Sequence, residues 1–161
     1  MKASRWVAVT MGLAVMAGCA AGPPTRQDQV AERGRTVMPF DLDRTAHAFT
    51  PTPDGLVEEV TADRGDDTDQ ITVIRTHLVA EARRFRAGDY SDPARIHGPD
   101  MPGLAQLAAG AARVEIGYAD IPAGARIRFR TSDPSLVAAL HAWGAAQTSD
   151  HGHRRPALGT P

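Results

Sequence analysis

Hydrophobic and polar positions alternate in some stretches of this chain and recur at helical spacing in others. Ala46–Thr50 and Leu56–Thr61 alternate around Pro51-Thr-Pro-Asp-Gly55, a combination that predicts a hairpin. Across 66–88 the apolar positions Ile71, Ile74, Leu78 and Phe85 follow the period of an amphipathic helix, with Thr68 or Asp69 as its cap and Gly88 as its stop. A loop over 89–102 and a short helical piece over 103–109 follow. Val114-Glu-Ile116-Gly-Tyr118 and Arg126-Ile-Arg-Phe-Arg130 alternate again around a turn at Pro122-Ala-Gly124. Asp133-Pro134 then opens a last helix to about Gln147, with aspartate as cap and proline at the first helical position.

The two halves superpose as sequence. The aromatic, proline and glycine positions of 47–55 match those of 116–124, and Asp69, Val73 and His77 match Asp133, Val137 and His141 at the same spacing. One hairpin with one helix cannot bury its own apolar face, so the expected fold is α+β. It is a duplicated ββα unit giving a four-stranded antiparallel sheet with two main helices on one face.

The first forty residues are organised differently. Lys2 and Arg5 precede an uncharged apolar run, Trp6–Ala17, which is short for a bilayer span and suits a cleaved signal. Met16-Ala-Gly-Cys19 then resembles a lipobox. Residues 1–18 are therefore expected to be a lipoprotein signal peptide and Cys19 the lipidated first residue of the mature chain, carrying palmitate-type acyl groups. Ala20 after the cysteine fits the outer membrane better than the inner, with the domain facing the periplasm. Residues 19–38 are polar, contain Pro23-Pro24 and read as a flexible tether. That leaves one domain over 39–153 and a disordered tail over 154–161.

Composition narrows the chemistry. Cys19 is the single cysteine, so a lipidated chain has neither a disulfide nor a thiolate for metal or catalysis. Without Lys2 and Arg5 the 18 basic residues become 16 against 19 acidic, a balance that argues against nucleic acid as a partner. Enzyme signatures such as a Gly-x-Ser-x-Gly elbow or a phosphate-binding glycine loop are absent, which leaves an unrecognised hydrolase or transferase as the weakest of three options. The adjacent pair Glu58-Glu59 lies on a strand, where alternation sends at least one carboxylate outward.

Histidine is the remaining candidate. His77 and His141 sit at equivalent helix positions, His47 shares strand parity with Phe49, and His97 lies in a loop that also holds Met101. These five residues are expected to form a transition-metal site. Imidazole suits copper, zinc, nickel or iron, and a thioether favours copper. The same groups could serve a haem as axial ligands, although no Cys-x-x-Cys-His is present. The alternative is that His77 and His141 are half-buried helix residues hydrogen-bonded to backbone or to carboxylates such as Glu81. The protein would then be an envelope module that binds a partner protein. His151-Gly-His153 could hold a metal ion weakly, and a solvated tail is the commoner explanation of such a segment.

Phe40-Asp-Leu-Asp-Arg-Thr-Ala-His47, Asp92-Pro-Ala-Arg-Ile-His-Gly98, Met101-Pro-Gly-Leu104 and Leu136-Val-Ala-Ala-Leu-His-Ala-Trp143 resemble a family of small exported bacterial proteins often labelled aspartate carbamoyltransferase. The resemblance runs over nearly the whole domain and implies the same fold unit. It implies no catalysis. The enzyme behind that label has a Ser-Thr-Arg-Thr phosphate loop and a His-Pro-x-Gln segment, and this chain has neither.

Overall fold

A computed structural model describes residues 22–151 of the chain. The signal segment 1–18, Cys19, His153 and the tail 154–161 lie outside the described residues.

The elements run α1 (Arg26–Val37), β1 (Thr45–Thr52), β2 (Gly55–Ala62), α2 (Thr68–Arg86), α3 (Ser91–His97), α4 (Leu104–Gly110), β3 (Glu115–Ile121), β4 (Gly124–Arg130) and α5 (Pro134–His151). The fold is α+β, with one antiparallel sheet in the order β1-β2-β4-β3. Both hairpins form where alternation placed them, and β2 joins β4 at the centre. The two long helices start on aspartate caps. Asp67 accepts from the Gln70 amide at the head of α2, one residue before the expected cap, and Asp133 accepts from the Ser135 amide at the head of α5.

The duplication is visible in how the units interlock. Helix α2 packs mainly on β3 and β4, and α5 packs on β1 and β2, so each helix covers the other unit's hairpin. Each also clamps the turn of the hairpin it covers. Arg75 on α2 donates to the carbonyl oxygens of Ile121 and Gly124, and His141 on α5 donates through Nε2 to those of Thr52 and Gly55. The two glycines mirror one another too. A Cβ on Gly55 would lie 2.0 Å from the Phe129 carbonyl oxygen, and one on Gly124 would lie 2.0 Å from that of Val60. Only a bare backbone lets β2 and β4 approach this closely.

The core lies between the sheet and these helices. Ala125, Ile127 and Phe129 are fully covered, and their register partners Val60, Glu58 and Leu56 share that inner face. Trp143 fills the centre, touching Phe49, Phe85, Tyr90 and Phe129 at ring-centre distances of 5.4–6.0 Å.

The segment 19–38, expected to be a flexible tether, instead contains a docked helix. Thr25 and Asp28 form a reciprocal capping box at the start of α1, which contacts α3 and α5. Val30 is 1% exposed, Arg33 donates to the Ile96 carbonyl oxygen, and Arg26 holds Asp150 through two hydrogen bonds of 2.6 and 2.7 Å. One buried valine and a few long-range polar bonds replace the apolar stripe that would have announced this helix. Thr25→Ala should therefore lower stability by about 1 kcal/mol. It should also accelerate amide exchange across α1 well before the sheet opens, as measured by hydrogen exchange. Exchange in α1 as slow as in the parent chain would contradict this account of the helix.

Candidate functional site

Beside the core, the inner face of the sheet carries polar groups where an apolar layer would be expected. His47 stands on β1 across from buried Val60, and Glu58 stands on β2 between Phe49 and Ile127. Its neighbour Glu59 points outward, 3.9 Å from Arg126. Helix α2 adds His77 and, one turn on, Glu81; α3 adds Asp92 and His97; and α5 presents Trp143 and Gln147 at helical spacing. Together they line a largely enclosed cavity with about 30 Å³ open to the centre of a water molecule. That is room for an ion or a molecule of very few atoms, not a porphyrin.

His151 continues the Trp143–Gln147 stripe by one more turn and reaches the histidines. Its ring centre lies 5.4 Å from that of His47 and 4.9 Å from that of His97, edge to face in both cases. Phe40 separates His47 from His77, with ring centres at 5.7 and 5.6 Å. His97 is the most constrained of the group. Its side chain is 1% exposed, and its Nδ1 lies 2.9 Å from Oδ2 of Asp150, the carboxylate that Arg26 holds. Arg26 also donates to the His97 carbonyl oxygen. The tie at Nδ1 leaves Nε2 as the free ring nitrogen.

Burial sets the protonation of these groups. It pushes His47 down to about 3, helped by the neighbouring imidazoles of His151, His77 and His97. His151 is brought down to about 4, by burial and then by His97, with Asp150 opposing. Burial also lowers His77, and it lowers His97 despite the hydrogen bond that His97 makes to Asp150. The imidazoles are thus neutral at physiological pH, the form that can donate a lone pair. Burial, and then the charge of Glu81, pushes the Glu58 carboxyl up to about 8. Glu81 rises to about 7 through burial and then Asp92, with Arg84 working against both. Arg84 pairs with Asp92 and lies 3.4 Å from Glu81. Burial would raise Asp150, but hydrogen bonds from Arg26 and His97 outweigh it and hold its pKa low.

Of the five expected metal-site residues, His47, His77 and His97 are brought to one region. His141 is not, because its Nε2 is spent on the β1–β2 turn carbonyls. Equal sequence spacing paired His141 with His77, whereas in the fold its counterpart is Arg75. Met101 packs into the hydrophobic core, 5% exposed, and does not line the cavity. The sequence reading gave His151, Glu58 and Glu81 other roles, and it missed the Arg26–Asp150 pair. Among the described residues no group of three His, Cys, Asp or Glu side chains stands ready to hold a metal ion as oriented. None of the described helices is long and apolar enough to cross a membrane. No family model, curated protein or solved structure matches the chain.

Proposed function

We propose that this protein is an envelope lipoprotein, anchored through lipid on Cys19, whose domain binds one first-row transition-metal ion at His47, His97 and His151. The observation that carries the reading is His97 with its Nδ1 tied to Asp150, itself gripped by Arg26. A carboxylate on the far nitrogen of a ligating histidine fixes its tautomer and raises its basicity. The ring spacings support the same reading. Imidazoles sharing a tetrahedral ion at ~2.0–2.1 Å have ring centres about 5 Å apart, close to the 4.9 and 5.4 Å between His151 and its two neighbours. Rotation of His151 in the last turn of α5 is the adjustment that would bring the three nitrogens to one ion, with His77 the nearest further imidazole. An all-imidazole set without Met101 removes the preference for Cu(I) and suits Cu(II), Zn(II) or Ni(II), with Cu(II) binding most strongly.

The test is metal analysis of the full chain, purified from membranes without a histidine tag and loaded with Cu(II) or Zn(II). About one ion per chain is expected. His97→Ala or His47→Ala should abolish loading, and Asp150→Asn should weaken it by about 10–100-fold. His141→Ala and Met101→Leu should leave it unchanged. A chain that stays metal-free, or that loses metal equally in every variant, would overturn the reading in favour of an envelope module that binds a partner protein.

The anchor has its own test. Radiolabelled palmitate should enter the parent chain and not Cys19→Ser, which should be released from the membrane fraction. Equal labelling of both would exclude Cys19 as the lipid site.

A further inference from the structure

Five buried side-chain polar atoms among the described residues have no hydrogen-bond partner in the protein. Four of them, His47 Nε2, Glu58 Oε2, Trp143 Nε1 and Gln147 Oε1, belong to residues that line a single cavity beside the histidines. Buried polar groups are normally paired, because an unpaired one loses its hydration without compensation. Four such atoms around a single space point to hydrogen bonds made with whatever occupies it. Trp143 and Gln147 are 1% and 5% exposed, so bulk water does not serve them.

We infer that this cavity is a binding site for a small uncharged molecule of the primary-amide class, held by Trp143, Gln147 and Glu58. The inference rests on these three residues and not on the metal reading. An indole N–H can only donate, so the guest must offer an acceptor; Gln147 Oε1 can only accept, so it must also offer a donor. A primary amide carries both, fixed in one plane. The size follows from the space. About 30 Å³ open to the centre of a water molecule replaces roughly two waters, which allows three or four non-hydrogen atoms.

Charge selects against ions of similar size. Burial holds the Glu58 carboxyl in its protonated, uncharged form up to about pH 8. Asp92 and Glu81 are both already paired with Arg84. A carboxylate or ammonium guest would lose its hydration without meeting a free opposite charge. Phe49, Phe85 and Val60 supply apolar wall beside the polar groups.

Formamide and acetamide are the probes, titrated with chelator present into the full chain in detergent micelles. Trp6 falls in the signal segment 1–18, and with Trp6→Phe wherever that segment is retained Trp143 is the sole indole, its Nε1–H resonance the readout. A saturable shift is expected, with a dissociation constant no tighter than about 1 mM for so few atoms. Formate and methylammonium should give none. Glu58→Leu and Gln147→Leu, checked for retained amide dispersion, should each weaken binding about tenfold. The inference is overturned by an unsaturated drift in the parent chain, by equal saturation with the charged probes, or by undiminished binding in both folded variants. The parent titration decides the matter even where a variant fails to fold. Loss of amide binding with metal loading intact would leave the metal site standing, and the converse result would separate the two the other way.

Discussion

Trp143→Ala should cost about 3–5 kcal/mol, read as a large drop in the urea midpoint followed by far-ultraviolet circular dichroism. Trp143 is 1% exposed and is the largest of the fully buried side chains. It joins helix α5 to the sheet through Phe49 and Phe129, and to α2 and the segment before α3 through Phe85 and Tyr90. Removing the indole empties the point where four elements meet. The neighbours cannot close the gap, because α5 already lies hard on β2: a Cβ on Gly144 would come within 2.7 Å of Leu56 Cδ1. A domain of this size has about 5–15 kcal/mol in total, so the variant loses a large share of it. Trp143→Phe should cost much less, since the indole N–H has no protein partner to forfeit. A Trp143→Ala loss below about 1 kcal/mol would show that the core is organised elsewhere.

Glu58→Gln should change the shape of the stability–pH curve. In the unfolded chain the Glu58 carboxyl ionises near 4.5, and in the folded chain it holds its proton to about 8. Between those values the folded state carries a proton that the unfolded state has released, so stability falls as pH rises, by at most about 1.4 kcal/mol per pH unit. Glu81 adds a like fall that ends near 7. His47 and His151 act in the opposite sense. Their folded forms stay neutral down to about 3 and 4, whereas the unfolded imidazoles take a proton below 6.5. Stability therefore rises with pH over that interval. The lowered His77 and His97 add to the rise below pH 6.5, so the rising contributions oppose the falling ones there and the decline stands alone only above it. Glu58→Gln should remove about 2 kcal/mol of the decline between pH 6.5 and 8, measured as urea midpoints across pH. A parent chain that gains stability toward pH 8 would contradict the placement of Glu58 as a covered acid.

Much of the fold was legible because strand alternation and helical spacing each reflect a face that must be buried. The hairpins at 46–61 and 115–130 and the cap Asp133 follow from that logic or from local backbone chemistry, whereas the α2 cap falls on Asp67, one residue before the expected Thr68 or Asp69. Helix α1 did not, because its burial rests on Val30 and on arginine bonds to residues more than sixty positions away. The one local signal was the capping box at Thr25-x-x-Asp28.

The site was harder to read, for reasons specific to each residue. His151 looked like tail because helix α5 runs one turn past its last apolar residue, Ala146, to put Gln147 against the cavity and Asp150 and His151 beside His97. Glu58 was passed over because alternation sends at least one of Glu58 and Glu59 outward, which argues against a catalytic pair without placing the other carboxylate. His141 misled through spacing that tracks the duplication in sequence. In three dimensions each helix serves the opposite hairpin, and the turn-clamping role passes from Arg75 in one unit to His141 in the other.

X-ray absorption at the metal edge of the loaded full chain tests the metal centre most directly. Three imidazole nitrogens at about 2.0–2.1 Å, with the imidazole scattering lost in His97→Ala, are the result this account predicts. A shell of oxygen ligands alone, a sulfur ligand from Met101, or an imidazole signal that survives His97→Ala and vanishes with His141→Ala would contradict it.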